Sequence, residues 1–346
     1  SLGFDIEEDD LSMTIVDNVS QKKVQGEYEN ISGKVKKVVY DANETTITLK
    51  AWDFYLDVIM RVYDDGYAFR YVVRRTDGAS GVMTVKSEDT TFAVPQNATM
   101  WSQEYVTNFG GKNCFSYETS YQARTVSELT DAQYIAMPLL YNVPDSEYYS
   151  LIMESHLVGS GFYGSFLKIK DGDNGSGVLQ TVHTPAGIKL DDNKVSYPFN
   201  SPWRVGIVGD MATVNTSELV EKVYDNVEYW KPDDYESLTA EEKETYTYDW
   251  VEPGVCAWSW LIYDGKRPQN DFSLHREYLA LAKTMGWKYV LLDGGWNSDT
   301  SDATLEKFVK EATKEGVKVL VWCNALSDFG NGNVEILKAK LTRWAS

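Results

Sequence analysis

The chain has too few cysteines and histidines for a disulfide framework or a zinc site. Its 346 residues include three cysteines and three histidines, all far apart in sequence. Disulfide-rich folds and structural zinc sites need several such residues at short, regular spacing. Both classes are therefore excluded. The Gly-x-Ser-x-Gly nucleophile elbow and the phosphate-binding P-loop are absent as well, which excludes the enzymes built on these motifs.

Excess positive charge and long apolar runs are also lacking. Acidic residues outnumber basic ones by 52 to 33, and the net charge is −19. Such a charge disfavours nucleic acid and anionic membrane surfaces as partners. No apolar run approaches the roughly 20 residues of a transmembrane helix, so we expect no membrane insertion. No signal peptide is visible, and the start at Ser1-Leu2-Gly3 without an initiator Met is typical of a fragment.

Residues 1–230 have the pattern of an all-β domain. The signal Asp64-Asp65-Gly66 between two β-rich segments predicts a hairpin, and Gly, Asn, Asp and Pro punctuate the other turns. A helical period occurs at 216–227, where Thr216 or Ser217 can act as the N-cap. Many strands with short turns and one short helix favour a large β-sandwich.

The pattern changes after an acidic segment, 231–253, which we interpret as a linker. From residue 254 onward, Ala282-x3-Gly286-x-Lys288-x-Val290 matches Ala312-x3-Gly316-x-Lys318-x-Leu320 at an offset of 30 residues. Each copy reads as a helix end, a glycine C-cap and a buried strand. The predicted strands are 255–260, 288–293 and 318–323, and the predicted helices are 274–285, 302–315 and 334–344.

Three consecutive βα units predict the beginning of a (β/α)8 TIM barrel. The first strand is not followed by a Gly-rich phosphate loop, which disfavours a dinucleotide-binding fold. A complete barrel needs about 250 residues. We therefore interpret 254–346 as the N-terminal part of a catalytic barrel, incomplete after about three units. The predicted fold is a multidomain chain with an all-β sandwich followed by this partial barrel.

Candidate functional residues follow the ends of the predicted strands, because the C-terminal face of a barrel carries its active site. Asp293 is the sharpest candidate, since a carboxylate that closes an apolar strand needs a polar partner. It could bind a ligand hydroxyl or only cap its own loop. His275 begins the first helix near this face and could contact a ligand. The other candidates are Trp258, Ser259, Trp260, Trp296, Asn297, Trp322, Cys323 and Asn324.

Glu154 is a lone acid in the apolar segment Leu151–Leu157. Such a residue usually lies on the solvent face of its strand. The alternative is a carboxylate that reaches out of the β-domain as a ligand for a hard cation such as calcium.

The order of these parts resembles glycoside hydrolase family 97. The similar motifs include the strand after Asp-Asp-Gly, Met137-Pro138-Leu139, Ile152-Met153-Glu154, the run from Trp203 to Asp210, and the run from Pro253 to Trp260. Asp293-Gly294-Gly295-Trp296 is also similar to the second-strand motif of the α-galactosidase clan. The resemblance covers nearly the whole chain. It implies an N-terminal β-supersandwich, a linker and the first part of a catalytic (β/α)8 barrel.

The resemblance also implies an activity and a metal. Members of the family are exo-acting α-glucosidases, which invert, or α-galactosidases, which retain, and both use calcium. Their β-domain donates one Glu to the calcium, and Glu154 is the matching position. The other ligands and the catalytic carboxylates would lie beyond Ser346, so this fragment is expected to be inactive alone and to bind calcium weakly. Family members are secreted or periplasmic in bacteria, which implies the same location here.

Several alternatives stay open at this point. The first hypothesis is a calcium-dependent α-glycoside hydrolase acting on oligosaccharides, with Trp258, Trp296 and Trp322 as stacking or packing walls and Asp293 and Asn324 near the sugar. A second enzyme hypothesis is a hydrolase of another α-galactosidase-like clan. The non-enzyme hypothesis is a carbohydrate-binding β-sandwich followed by a non-catalytic barrel remnant. The sequence distinguishes neither glucose from galactose nor inversion from retention, and it leaves the oligomeric state open.

Overall fold

The computed structural model divides the chain into two compact units, Ser1–Tyr246 and Thr247–Ser346. The division falls inside the predicted linker 231–253, whose role as a linker stays a prediction. The structure describes residues 4–6, 15–30, 32–105, 108–109, 112–113, 120–157, 162, 164–170, 177–183, 194–223, 234–244, 246, 251–263, 267–298, 300–324 and 333–345.

The first unit consists mainly of β-strands, as the sequence predicts. Its first nine are β1 (Phe4–Ile6), β2 (Ile15–Glu29), β3 (Lys37–Ala51), β4 (Phe54–Tyr63), β5 (Gly66–Arg75), β6 (Gly81–Glu88), β7 (Thr91–Ala93), β8 (Met100–Tyr105) and β9 (Asn108–Phe109). The next nine are β10 (Lys112–Asn113), β11 (Gln122–Arg124), β12 (Tyr134–Asn142), β13 (Tyr149–Ser155), β14 (Phe166–Ile169), β15 (Val178–Val182), β16 (Lys194–Tyr197), β17 (Phe199–Asn200) and β18 (Trp203–Gly209). The predicted hairpin is confirmed, because Asp64 and Asp65 alone separate β4 from β5.

All strand pairs described in this unit are antiparallel. A 13-stranded sheet runs in the order β2-β3-β4-β5-β18-β13-β12-β14-β15-β7, with β8, β11 and β17 attached beside this path. A second sheet has the order β1-β6-β16. Apolar side chains from both sheets form one core, which includes Phe4 on β1, Tyr71 on β5 and Val195 on β16. Two antiparallel sheets sharing an apolar core are consistent with the predicted β-sandwich.

A second apolar cluster covers the other face of the large sheet. Trp203, Val205 and Ile207 of β18 pack there with residues of the short helices α1 (Met211–Thr216) and α2 (Leu219–Lys222). The short helix predicted within 216–227 is confirmed in part, because α2 lies in this range and Ser217 Oγ accepts from Leu219 N at 3.2 Å at its start. The sequence did not predict α1. Asp210 starts α1 earlier by accepting a hydrogen bond from Thr213 N, and the extended backbone of Ser217 ends it. Residues 224–227 lie outside the described part.

The second unit contains three βα units. Parallel strands β19 (Cys256–Trp258), β20 (Tyr289–Leu292) and β21 (Lys318–Val321) pair in chain order. The short helix α3 (Ala240–Glu244) belongs to the first unit. The helices of the second unit are α4 (Trp260–Tyr263), α5 (Phe272–Met285), α6 (Asp302–Lys314) and α7 (Val334–Ala345). The closure of these strands into a (β/α)8 barrel stays a prediction. In the part of the chain that the structure describes, no helix is long and apolar enough to span a bilayer.

The 30-residue repeat is confirmed as a repeated helix-to-strand connection. Gly286 and Gly316 both adopt the left-handed conformation, with φ of 67° and 75°. This conformation lets the backbone reverse after a helix without a Cβ clash. Asp271 caps α5 by accepting from Ser273 N and Leu274 N, and Ser301 caps α6 by accepting from Thr304 N. The repeated caps explain why sequence alone located both helices to within two residues.

Candidate functional site

Three predicted site residues lie together at one edge of the parallel sheet. Trp258 ends β19, Asp293 follows β20 and Trp322 follows β21. The strands are in register, since Trp258 pairs with Leu291 and Leu292 pairs with Val321. The carboxyl ends of parallel strands therefore meet here, which is where α/β folds bind their ligands.

Asp293 is buried and bonded only to neutral donors. The indole Nε1 of Trp258 donates to its Oδ2 at 2.5 Å, and Gly294 N donates to its Oδ1 at 2.5 Å. Within the described part of the chain, no lysine, arginine or histidine pairs with this carboxylate. A buried carboxylate without a counter-charge favours further hydrogen-bond donors. The free lone pairs of Asp293 thus suit the hydroxyl groups of a polyol.

Trp322 and Trp296 have different environments. Trp322 is 43% exposed, and its ring lies close to Gly294, where a Cβ would approach the ring at 3.1 Å. Glycine at this position therefore lets the indole approach the loop after β20 closely. Trp296 is only 3% exposed, and its Nε1 donates to Trp322 O at 2.8 Å. Of the two roles predicted for Trp296, burial favours packing over stacking on a sugar.

His275, which the sequence offers as a ligand contact, is buried. Its ring is fully buried against Phe272 and Phe308, and its Nε2 donates to Gln269 O at 2.6 Å. Burial lowers the pKa of His275, which favours the neutral ring. This burial disfavours the predicted ligand contact, and His275 supports the loop before α5 from within the core. Asn324 and Cys323 lie half-buried just after β21, Ser259 is buried, and Trp260 and Asn297 are exposed.

Gln269 is a site residue that the sequence did not reveal. It is 3% exposed and lies between β19 and α5. Its Oε1 accepts from Asp293 N at 3.2 Å, and its side chain also bonds Ser259 Oγ. A glutamine in a polar loop has no sequence signal that distinguishes it from solvated neighbours. Only the fold brings it against the end of β20.

In the first unit, Glu154 belongs to a buried ion cluster. Arg204 forms a bidentate pair with Glu88, with Nε to Oε1 at 3.0 Å and Nη2 to Oε2 at 2.5 Å. Its Nη1 donates to Glu154 Oε1, which also accepts from Ser165 Oγ at 2.6 Å. Glu88 and Arg204 have no exposed side-chain surface, and Glu154 has 9%. The solvent-face interpretation of Glu154 is therefore wrong.

The cluster holds two carboxyl groups, Glu88 and Glu154, and one guanidinium, Arg204. Burial alone would raise the pKa of Glu88, but Arg204 more than offsets this effect and the pKa is lowered. For Glu154, burial outweighs Arg204 and the pKa is raised. The Nε2 of His183 lies 3.3 Å from Glu88 Oε2, and burial lowers the pKa of His183 to about 4, so this ring is neutral at pH 7. The guanidinium is thus the cluster's one positive group among the described residues.

A large antiparallel β-domain followed by βα units with a carboxylate and tryptophans at the strand ends is typical of carbohydrate-active enzymes. The family described as Glycosyl-hydrolase 97 N-terminal matches residues 1–225, which is more than half of the chain. The chain therefore belongs to glycosyl-hydrolase family 97, and the resemblance inferred from its motifs is confirmed.

Two curated relatives are retaining alpha-galactosidases by name. A probable retaining alpha-galactosidase of Streptomyces bingchenggensis is 28% identical over 336 residues, covering 93% of this chain and 46% of that protein. A retaining alpha-galactosidase of Bacteroides thetaiotaomicron is 25% identical over 374 residues, covering 90% of this chain and 50% of that protein. The chain thus spans about half the length of both relatives.

Solved structures share the fold. A crystal structure of a beta-arabinopyranosidase has a TM-score of 0.79 at 23% identity and covers 99% of this chain and 54% of that chain. A family 97 enzyme from Pseudoalteromonas sp. strain K8, solved in complex with panose, has a TM-score of 0.72 at 19% identity and covers 99% and 51%. At these identities the similarity concerns the fold alone.

Proposed function

We propose that this chain is the N-terminal part of a calcium-dependent, exo-acting α-glycoside hydrolase of oligosaccharides. The observation that carries the proposal is the buried, uncompensated carboxylate of Asp293 beside Trp258 and Trp322 at the carboxyl edge of three parallel strands. Membership of a glycosyl-hydrolase family supports it. In the proposed protein the three βα units begin a (β/α)8 barrel. The location we propose is periplasmic or secreted.

The proposed role of this chain is to hold the sugar rather than to cleave it. Hydrolysis with two carboxylates needs them about 5–5.5 Å apart for retention or about 6.5–9.5 Å apart for inversion. Among the described residues at the carboxyl ends of the three parallel strands, Asp293 is the single carboxylate. Asp293 would accept hydrogen bonds from sugar hydroxyls while the exposed indole of Trp322 offers an apolar face to the ring. The acid and the base or nucleophile would come from later strands of the barrel.

An α-galactoside is the first substrate to test. Both curated relatives carry the name retaining alpha-galactosidase, which favours galactose and retention. The relatives are 28% and 25% identical, however, and the K8 family 97 structure contains panose, so an α-glucoside is the second substrate to test.

We expect Asp293→Asn to weaken sugar binding by about 10- to 100-fold, because a hydrogen bond to a charged group contributes about 1.5–3 kcal/mol. The measurement is titration calorimetry, in which methyl α-D-galactopyranoside or methyl α-D-glucopyranoside is added to the 346-residue chain. With half a site, we expect wild-type dissociation constants of about 1 mM or weaker. Hydrolysis of aryl α-galactosides and α-glucosides by this chain should be undetectable.

Asp302→Asn is the control, since Asp302 is exposed and its carboxylate pairs with Arg343 rather than with a strand-end residue. Equal affinities for Asp293→Asn and Asp302→Asn would contradict the proposed sugar site. Measurable hydrolysis would contradict the assignment of cleavage to later strands.

Glu154 is the proposed contribution of this chain to a calcium site. Carboxylate oxygens are the ligands that calcium prefers. Oε1 of Glu154 is engaged by Arg204 and Ser165, whereas Oε2 accepts one bond, from Ser165 N at 3.1 Å, and retains a lone pair. A cation at Oε2 would also add a second positive partner for two carboxyl groups that share one guanidinium. In the described part of the chain no three acidic, histidine or cysteine side chains gather into a metal site, so the other ligands would come from elsewhere.

We expect calcium to raise the thermal stability of the wild-type chain but not of Glu154→Gln. At a calcium concentration equal to the dissociation constant, the gain is about 0.4 kcal/mol. The measurement compares melting curves with calcium, with magnesium and with chelator. Glu27→Gln serves as the control, because Glu27 is an exposed acid of the same unit that pairs with Lys37. The same calcium shift in Glu154→Gln and in the wild type would remove Glu154 from the proposed site.

A further inference from the structure

We infer that Gln269 is a positioning residue that fixes Asp293 for sugar binding, an inference that rests on the proposed function. The amide N–H of Asp293 donates to Gln269 Oε1 at 3.2 Å. This bond takes the place of a strand partner on the β19 side. Tyr289 N donates to Val255 O, so alternate residues of β20 face β19, and the pairing of β19 with β20 ends at Trp258 and Leu291, two residues before Asp293. A side chain, rather than the sheet, therefore holds the backbone from which the Asp293 carboxylate projects.

Gln269 is itself held on two sides by fully buried groups. Its side-chain amide bonds Ser259 Oγ, with contacts of 3.2 Å from Oε1 and 3.1 Å from Nε2. Its backbone oxygen accepts from His275 Nε2 at 2.6 Å. Ser259 and His275 have no exposed surface, and Gln269 has 3%. The end of β19 and the first turn of α5 thus both anchor the glutamine that contacts Asp293.

The next residue, Asn270, makes a second hydrogen bond to the loop after β20, but not to Asp293. Asn270 Nδ2 donates to Ser298 O at 2.8 Å, farther along the loop that follows β20. The loop between β19 and α5 therefore holds the loop after β20 at two points. Gln269 acts at the carboxylate and Asn270 acts at the loop end, which provides a matched control within two consecutive residues.

The position of Asp293 matters because hydrogen bonds to a sugar depend on the location of its oxygens. A misplacement of about 1 Å in a site residue is enough to lower binding or activity strongly. The bond from Trp258 Nε1 to Asp293 Oδ2 reports this position directly, since it has a length of 2.5 Å and involves a group observable by NMR.

The test uses Gln269→Met, Gln269→Glu and Asn270→Ala in the 346-residue chain. Methionine keeps the length of the side chain but removes its polar atoms, whereas glutamate keeps an acceptor for Asp293 N and for the Ser259 hydroxyl. We expect Gln269→Met to move the Trp258 indole N–H resonance upfield and to weaken binding of methyl α-D-galactopyranoside about tenfold, as for one lost hydrogen bond. Gln269→Glu should restore the resonance, and Asn270→Ala should leave both readouts near wild type.

An indole resonance that stays unchanged in Gln269→Met would overturn the positioning role. Equal effects of Gln269→Met and Asn270→Ala would do so too, because they would indicate general loop loosening. If Gln269→Met does not fold, Ser259→Ala provides the same test, since it removes one support of Gln269 and should shift the resonance in the same direction. A shifted resonance in a chain whose wild type binds neither sugar would support the positioning role and contradict the proposed function, so the two failures are distinguishable.

Discussion

Replacing Arg204 with methionine is expected to destabilise the β-domain by about 3–5 kcal/mol, the usual effect of removing one partner from a buried ion pair. Glu88 is completely buried and receives two hydrogen bonds from Arg204. Without the guanidinium, Glu88 and Glu154 would be two neighbouring buried acids with no positive partner among the described side chains. One of them would have to take up a proton or draw in water.

The measurement is urea unfolding followed by circular dichroism at pH 7. Lys23→Met is the control, because Lys23 and Asp41 form a pair of similar length, 2.9 Å, with both side chains more than half exposed. An exposed pair contributes about 0–1 kcal/mol, so this variant should unfold close to the wild type.

The double variant Glu88→Gln/Arg204→Met distinguishes two contributions to the free energy of unfolding: the lost ion pair and the cost of burying an unpaired Glu88 carboxylate. It should be more stable than Arg204→Met alone, since the carboxylate that lost its partner is gone. If Arg204→Met lowers the free energy of unfolding by no more than Lys23→Met does, the ion cluster does not stabilise the β-domain by the expected amount.

Acidification from pH 7.5 to pH 5 is expected to remove about 2 kcal/mol of stability through His183 alone. Burial and, to a smaller extent, Arg204 lower the pKa of His183, the nearby Glu88 raises it, and the net pKa is about 4. The folded state therefore favours the neutral ring, whereas the unfolded chain protonates near pH 6.5. The contribution of His183 to stability is present above pH 6.5 and is lost as the pH falls toward 4.

Two measurements check this prediction. The ring-proton resonance of His183 should stay constant from pH 8 to pH 5 in the folded chain, because the group titrates near 4. The stability difference between the wild type and His183→Gln should change by about 2 kcal/mol between pH 7.5 and pH 5. Comparing the two proteins cancels the titration of the other acids, including the opposite tendency of Glu154, whose pKa is raised. A His183 resonance that titrates near pH 6.5 would contradict the buried, neutral ring.

Capping residues and glycines that act on their neighbours in the chain determined much of the secondary structure of the second unit. Glycines at Gly286 and Gly316 and the cap at Ser301 depend on nearest neighbours in the chain, so helix ends and strand starts were predictable. The same holds for the Asp64-Asp65 hairpin in the first unit. The short helix predicted within 216–227 is confirmed at α2, whereas the preceding α1, which Asp210 caps and which ends at Ser217, was not predicted.

The environments of the candidate site residues were less predictable. The sequence placed Asp293, Trp258 and Trp322 at strand ends, and parallel strands bring those ends together. It did not predict that His275 and Trp296 are buried, because a helix or loop position does not fix which side chains face the core. It also did not indicate Gln269, whose contact with Asp293 N spans 24 residues.

The sequence by itself therefore determined the family, the all-β and βα halves, and the strand-end residues, since these follow from local periodicity, caps and motifs. Only the tertiary structure decided that Glu154 faces Arg204 rather than solvent and that Glu88 and His183 join it. Arg204 and Glu88 are 116 residues apart, and the pairing of β13 with β18 and the packing around them bring these charges together. A buried charge is stable only with its partner, and which residues become partners depends on strand register rather than on any local pattern.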